Sequence, residues 1–564
     1  MSCRALIALA AIASATLAGC SSVPRATQFV GTSLPEASDA VYFVVTDRFV
    51  DGDPSNNYED QGPTGLKTFD RQITNAQGQS ANIGYLGGDF RGLLDNAHFI
   101  RDMGFGAVWL TPIVENPDEA FSGGQRLGEG VFADNGKTGY HGYWGVNFFA
   151  IDEHLVSDGL AFRELTTALR EQHGLKTVLD IVCNHGSPSY SMPADQSMFG
   201  EIYAADGTLL ADHQNLHPTK LQADNPLHAF FHNEPDLAEL SNNNESNPAV
   251  LDYFVAAYSQ WIEQGASAFR IDTIRHMPHS FWKAFSDRIR EQHPGFFMFA
   301  ESFDYEARNI AQHTFPANGG ISVLDFPGQR RISAVFGDPD SDYADLLDYL
   351  HLEDGVYENP YELMTFYDNH DMPRMDATSD GFIDANNWLF TARGIPVIYY
   401  GSETAFMAGR GEHGGNRNYY GQARIDEAPA HPIFAPLTRI AKLRQSLPAL
   451  QRGLQVNLDI GGDTALFLRV LETAETQQTV LVALNKGDEP VTLRAQRMLS
   501  EGVWRDPQSE HQQSISTAQD ALSLRVPAHG VRLMALDAAN TNAALLRQLY
   551  RLQYGVDAAA RARR

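Results

Sequence analysis

Cysteine is scarce in this chain. Of 564 residues only three are cysteines, at positions 3, 20 and 183, so a fold of this length does not rest on a disulfide framework. Positive charge is also short. Lys and Arg number 42 against 70 Asp and Glu, a formal net charge of −28. That sign argues against a nucleic-acid partner and fits a protein handling neutral ligands. The apolar run at the N-terminus, Ala5–Ala18, is too short to span a bilayer as a mature helix. What is present is ordinary for a globular protein: 43% hydrophobic and 20% charged residues, in a chain long enough for more than one domain.

Arg4 precedes the apolar run, which ends in Leu17-Ala18-Gly19-Cys20. This resembles a bacterial lipoprotein signal, in which the cysteine becomes residue one and carries lipid. Residues 1–20 then read as a signal peptide, Cys20 as the lipidation site, and the small polar tract 21–38 as a linker. Ser21 and Ser22, with no aspartate after Cys20, resemble the outer-membrane sorting pattern of Gram-negative bacteria. Ordinary secretion with cleavage nearby is the alternative. With Cys3 removed and Cys20 lipidated, Cys183 is alone and no intrachain disulfide can form.

From residue 41 a rhythm sets in. Apolar strand signals at Val41–Asp47, Ala107–Pro112, Lys176–His185, Ala268–Asp272, Phe296–Glu301, Ser322–Phe326, Leu363–Asp371 and Pro396–Tyr400 each run into polar residues. Helical periodicity falls between them, at Phe90–Met103, Leu160–His173, Ala249–Gln264, Phe281–Gln292, Asp384–Arg393 and Ile433–Gln445. The pattern predicts an α/β fold, a (β/α)8 TIM barrel over residues 39–185 and 245–447 with its site at the C-terminal face. Residues 186–244 are irregular and read as an insertion after strand three; loops that long are usually functional. Short alternating segments over 448–538 predict a C-terminal antiparallel β-sandwich. The tail 539–564 carries leucines at helical spacing and five arginines, which suits a helix docked on the protein or touching a membrane surface.

Three stretches carry chemistry. Arg270 and Asp272 sit two apart in a strand signal, so both point to one side. A carboxylate beside a guanidinium stays ionised, which suits a nucleophile or a fixed negative charge; a structural pair closing a strand end is the plain alternative. Asp51, Asp53, Asn56 and Asn57, with Gly87 and Asp89 further on, form a hard-oxygen cluster of the kind calcium requires. Its spacing is not that of an EF-hand, and on the residues alone a solvated turn built from turn-forming residues is the favoured reading. The aromatics of Tyr140-His-Gly-Tyr143-Trp144 can stack on sugar rings or belong to the core.

Four strand-end motifs occur in order: Asp180-Ile-Val-Cys-Asn184-His185, Phe269-Arg-Ile-Asp272, Glu301, and Phe366-Tyr-Asp-Asn-His370-Asp371. With them the chain resembles the α-amylase family, glycoside hydrolase family 13, from Val41 to Leu536. Within it the chain is most similar to cyclodextrin glucanotransferases and the amylases near them, through Thr46–Pro54, Tyr140–Trp144, Arg275–Pro278 and Asp368–Met372. The resemblance implies a retaining α-glucan hydrolase acting on starch and maltodextrins. Asp272 would be nucleophile, Glu301 general acid and Asp371 the third carboxylate. His185 and His370 would hold sugar hydroxyls, Tyr143 would stack beneath the same sugar, and Arg270 would keep Asp272 ionised. Asp180 would be structural, Phe303 an acceptor-side aromatic, and Arg417 a contact to the next sugar.

The resemblance also implies calcium at Asp51, Asp53, Asn56, Asn57, Gly87 and Asp89, and at Asn184, Glu239 and the His276 carbonyl. Glu239 replaces the usual aspartate there. Pro235 stands where the glucanotransferases carry a mid-cleft aromatic, and their two later β domains have no counterpart in the sequence, so hydrolysis is expected over cyclisation. The alternatives are a cyclodextrin glucanotransferase, a cyclomaltodextrinase, and a non-catalytic glucan-binding lipoprotein.

Overall fold

The structure is a computed structural model that describes residues 28–74, 80–124, 135–193, 196–411, 414–517 and 519–555. Cys20, the signal and residues 21–27 of the linker lie outside the described residues.

Eight parallel strands form the central sheet: β1 (Val41–Val44), β2 (Ala107–Leu110), β3 (Lys176–Ile181), β4 (Ala266–Ile271), β5 (Phe297–Ala300), β6 (Ser322–Val323), β7 (Met364–Thr365) and β8 (Ile395–Tyr399). Their order is β6-β5-β4-β3-β2-β1-β8-β7. A bridge from Leu324 to Met364 joins the two edges, and Asp325 N–H donates to Met364 O at 2.9 Å, closing the barrel. These strands are buried on both faces, which is why they read as unbroken apolar runs rather than as alternation.

The outer helices are α1 (Phe162–His173), α2 (Pro248–Glu263), α3 (His279–Gln292), α4 (Phe326–Gly337), α5 (Ser379–Thr391) and α6 (Phe434–Ser446). Their ends follow local chemistry. The Asn247 side chain accepts from Ala249 N with proline at the first turn of α2, and α1 stops at Gly174 with φ 68°. The expected single helix at Phe90–Met103 is instead two, Phe90–Asp95 and Ala97–Asp102. Asn96 breaks it: its Nδ2 turns back to Gly92 O at 2.9 Å and across to Gln422 Oε1 at 2.9 Å.

Between β3 and α2 the chain folds as two small antiparallel pairs, His185–Pro188 with Leu240–Asn242 and Glu201–Tyr203 with Leu209–Asp212. These stand over the C-terminal ends of the barrel strands.

Beyond α6 come β9 (Leu454–Gly461), β10 (Thr464–Glu472), β11 (Gln477–Asn485), β12 (Val491–Ala495), β13 (Gly502–Arg505), β14 (Gln512–Ile515), β15 (Leu522–Val526) and β16 (Gly530–Leu536). They make an antiparallel sheet in the order β9-β10-β11-β16-β13-β14 and a second sheet of β12 and β15. Trp504, Leu468 and Leu481 are fully buried between them. The tail helix α7 (Ala543–Tyr554) docks on this region. Leu545 and Leu549 are buried, and Tyr550 meets Phe29 edge-on at 5.3 Å. Phe29 also bridges to Glu472, so the N-terminal segment is stitched to the C-terminal sheet.

Candidate active site

The polar residues that end the strands converge at the C-terminal mouth of the barrel. Arg270, near the end of β4, is fully buried. Its Nη1 meets Asp180 Oδ1 at 2.9 Å and Asp272 Oδ1 at 2.7 Å, and its Nη2 meets Glu301 Oε2 at 2.9 Å. The planar fork of a guanidinium suits this; an ammonium would not span it. Backbone bonds carry the sheet past the assigned strand ends: Asp272 N–H donates to Ile181 O at 2.9 Å and Glu301 N–H to Ile271 O at 2.8 Å. Asp272 and Glu301 therefore stand side by side on adjacent strands, held by neighbouring nitrogens of one side chain.

The carboxyls differ in environment. Burial pushes Glu301 well above the ordinary carboxylate range; Arg270 opposes this, and the charges of Asp272 and Asp371 add to it. Burial wins, so of the two reacting carboxyls Glu301 is the one biased toward its protonated form. Burial also pushes Asp180 up to about 7, against Arg270. Asp180 has no room for substrate. Its Oδ2 accepts from the Tyr143 hydroxyl at 2.8 Å and Trp109 Nε1 at 3.1 Å, and its Oδ1 is on Arg270. Its place is structural.

Thr273, between the two carboxyls, is left-handed at φ 48° and ψ 38°. A β-branched residue is strained there, by roughly 1–3 kcal/mol. The turn aims Thr273 N–H at Glu301 Oε2, at 3.5 Å. Nothing in the residue type signals this turn in advance.

The loop after β7 supplies the opposite wall. The His370 ring lies parallel to that of Tyr143, 5.5 Å away, with Nε2 2.8 Å from the Tyr143 hydroxyl. Burial, with Arg417 and Arg270 nearby, holds His370 well below the usual imidazole range, so it is neutral. Burial lowers His185 too. Arg417 Nη2 meets Asp371 Oδ1 at 2.6 Å. Together these groups line a cleft of about 500 Å3 that holds Asp272, Glu301, Asp371, Tyr143, His185, His370 and Arg417. Phe303 stands at its rim, 42% exposed, its ring 4.7 Å from Phe326. His141 also lines the cleft; its Nδ1 accepts from Tyr143 N, which fixes that residue, and sequence reasoning missed it.

Part of the first oxygen cluster is buried. Among the described residues, the buried oxygens Asp51 Oδ1, Asn56 Oδ1 and Asn57 Oδ1 have no hydrogen-bond donor. A Cβ on Gly87 would come within 2.4 Å of Asn57 Oδ1 and 2.8 Å of Asp51 Oδ2, so only glycine leaves the space open. Buried oxygens without donors, one of them facing Gly87, fit a hard cation such as calcium. Asp89 and Asp53 shape the loop instead. Asp89 accepts from Gly92 N at 2.6 Å and Asp53 N at 2.8 Å, and Asp53 accepts from Ser55 N at 3.1 Å.

The second cluster is assembled differently from expectation. Asn184 Oδ1 is buried without a donor, as a ligand oxygen would be. Its Nδ2 donates to Asp236 Oδ2 at 3.1 Å, and His276 Nδ1 meets the same carboxylate at 2.9 Å. The bond to Asp236 raises His276. Glu239 Oε2 accepts from Ser191 Oγ at 2.8 Å. The carboxylate joining Asn184 to His276 is thus Asp236, three residues before Glu239.

The sequence profile described as the α-amylase catalytic domain matches residues 43–428. The chain is 28% identical to a cyclomaltodextrin glucanotransferase of Klebsiella oxytoca over 511 residues, 81% of this chain and 72% of that one. It is 31% identical to that of Bacillus sp. strain 38-2 over 447 residues, 77% of this chain and 58% of the relative. Like the latter, most of these relatives are longer: the chain spans under two thirds of their length. Among solved structures, an Anoxybacillus α-amylase aligns with TM-score 0.66 and 25% identity, covering 90% of this chain and 99% of that one. A cyclomaltodextrin glucanotransferase with a three-domain ABC distribution aligns with TM-score 0.69 and 27% identity, covering 89% and 99%. By its barrel, the carboxyls at its mouth and the match over most of its length, the chain belongs to the α-amylase family of glycoside hydrolases.

Proposed function

We propose that this protein is a retaining α-glucan hydrolase of the α-amylase type, cleaving α-1,4-glucosidic bonds of starch and maltodextrins. The observation that carries the reading is the shared guanidinium. One buried Arg270 holds Asp272 and Glu301 on adjacent nitrogens while burial biases Glu301 toward its protonated form. Double displacement needs carboxyls about 5–5.5 Å apart, not the wider gap that admits a water. Asp272 attacks the anomeric carbon as the C–O bond breaks. Glu301 gives its proton to the leaving oxygen. Water, deprotonated by Glu301, then hydrolyses the glycosyl ester and frees Asp272. Asp371 and the neutral His370 and His185 bond the hydroxyls of the distorted sugar, with Tyr143 beneath it.

Calcium belongs to the reading as a structural ion. Asp51, Asn56 and Asn57 would hold it at the first cluster, and it would supply charge to satisfy their buried oxygens. We also assign Cys20 as lipidated and the protein to the Gram-negative envelope, on the signal pattern alone. Mass analysis of the mature N-terminus for a diacylglyceryl group tests that assignment.

Hydrolysis is favoured over cyclisation because Pro235 offers no ring at the cleft. The three-domain layout no longer bears on this choice, since a structural neighbour with that layout is described as a cyclomaltodextrin glucanotransferase. That second reading draws on the exposed Phe303 at the rim and on the names of the relatives. Chromatography of an early starch digest decides: linear maltooligosaccharides are expected, and cyclodextrins as main first products would overturn the hydrolase reading.

A further inference from the structure

The loop Asn369–Met372 carries His370 and Asp371, yet it follows a strand of two residues, β7. What fixes it comes from the segment after β8. Asn416 is fully buried. Its Nδ2 donates to Asn369 O at 2.8 Å and to Met372 O at 2.5 Å, so one carboxamide nitrogen brackets His370 and Asp371. Arg417, the next residue, donates from Nε to His370 O at 2.9 Å. One dipeptide therefore holds three carbonyls of a four-residue loop. The loop's own contribution is Asn369 Oδ1, which accepts from Asp371 N at 2.9 Å.

The clamp is itself anchored. Asn416 O accepts from Arg374 Nε at 3.1 Å and Nη2 at 3.0 Å, and Arg374 Nη1 donates to Tyr400 O at 2.8 Å, at the end of β8. The Arg374 guanidinium lies 4.1 Å over the Tyr399 ring. Barrel wall, arginine, asparagine and loop form one continuous chain of contacts.

The chemistry asks for an amide. Its NH2 gives two donors from one atom. Leucine, of similar size, would leave two buried carbonyls unsatisfied, and aspartate would set an acceptor against them. Asn416 Oδ1 has no donor, so the side chain acts here through its NH2.

We propose that Asn416 is a positioning residue for the reaction, setting His370 and Asp371 at the sugar-binding wall of the cleft. This rests on the reading of Asp371 as the third carboxylate. A misplacement of about 1 Å in such groups can cost on the order of 100-fold in rate.

The test is a double-mutant cycle on a chromogenic maltooligosaccharide, with a melting curve for each variant. Asn416→Ala is expected to lower kcat/KM by roughly 10- to 100-fold in the native background. In an Asp371→Asn background the same change is expected to cost several-fold less than in the native one, because one of the two groups it positions is already disabled. Asn416→Asp should match or exceed the alanine loss. Equal fold-losses in both backgrounds, or no loss in the native one, would overturn the proposal: the first leaves Asn416 as scaffolding only. If Asn416→Ala does not fold, Asn416→Ser goes through the same cycle and is read by the same ratio. Asp371→Asn alone retaining native activity would instead reject the reading of Asp371, independently of Asn416.

Discussion

Replacing Arg270 by lysine separates charge from geometry at the centre of the site. The arginine contacts three carboxylates through two nitrogens, and the side chains involved are 0–9% exposed, so solvent screens them little. Lysine keeps the charge but presents a single point, able to retain one of these contacts. The Nη1 bonds to Asp180 and Asp272 are the charge-assisted ones, each contributing roughly 1.5–3 kcal/mol, so losing one of them costs about 1.5–3 kcal/mol. Total stability is typically ~5–15 kcal/mol, so the variant should fold with a clearly lower melting temperature. Its kcat/KM should fall by about 100-fold or more, since both reacting carboxyls lose their common support. The pH profile gives the sharper readout. Arg270 opposes the rise in the Glu301 pKa. With a weaker partner Glu301 keeps its proton to higher pH, and the basic limb moves up. Native kcat/KM with an unmoved basic limb would refute the reasoning.

Thorough chelation should lower the melting temperature, because an ion bound only by the native state adds to its stability, and Asp51→Ala should abolish that response. An unchanged melting curve, with metal analysis finding no calcium before treatment, would remove the ion. Where the C-terminal region meets α5, His529 Nδ1 is 2.7 Å from Asp384 and Nε2 is 3.0 Å from Asp488, with Asp380 at 4.0 Å. The bonds and charges of Asp384, with Asp488 and Asp380, raise His529 despite its partial burial. A raised histidine stabilises fully below its unfolded pKa of about 6.5 and loses that effect as pH rises through its folded pKa. Burial pushes Asp384 itself up to about 7, so its charge fades in acid; His529→Gln should therefore lower the melting temperature most near neutral pH, and an equal deficit at every pH would contradict the assignment.

The eight strands and their polar ends were legible because doubly buried strands are unbroken apolar runs and polar groups collect where the chain leaves the sheet. β13 and β14 were not read. Val503 is 47% exposed and Gln512-Gln513-Ser514 is polar, so neither strand shows an apolar run or clean alternation. The break at Asn96 was hidden by periodicity that continues through it; only the bond to Gln422 shows why the helix stops. The carboxyls were named from motifs, but their unequal environments depend on burial and on contacts between distant segments. Asp236 and Asn416 escaped for the same reason. Each acts through partners more than 35 positions away, which no local pattern records.

The account stands or falls on a covalent bond between sugar and Asp272. The direct measurement is mass spectrometry of the enzyme after reaction with a fluorinated α-glucosyl fluoride that forms the ester quickly and releases it slowly. One glycosyl unit on the peptide containing Asp272 is the predicted result. Label on Glu301 or Asp371, or no label with β-configured first product by NMR, would contradict it.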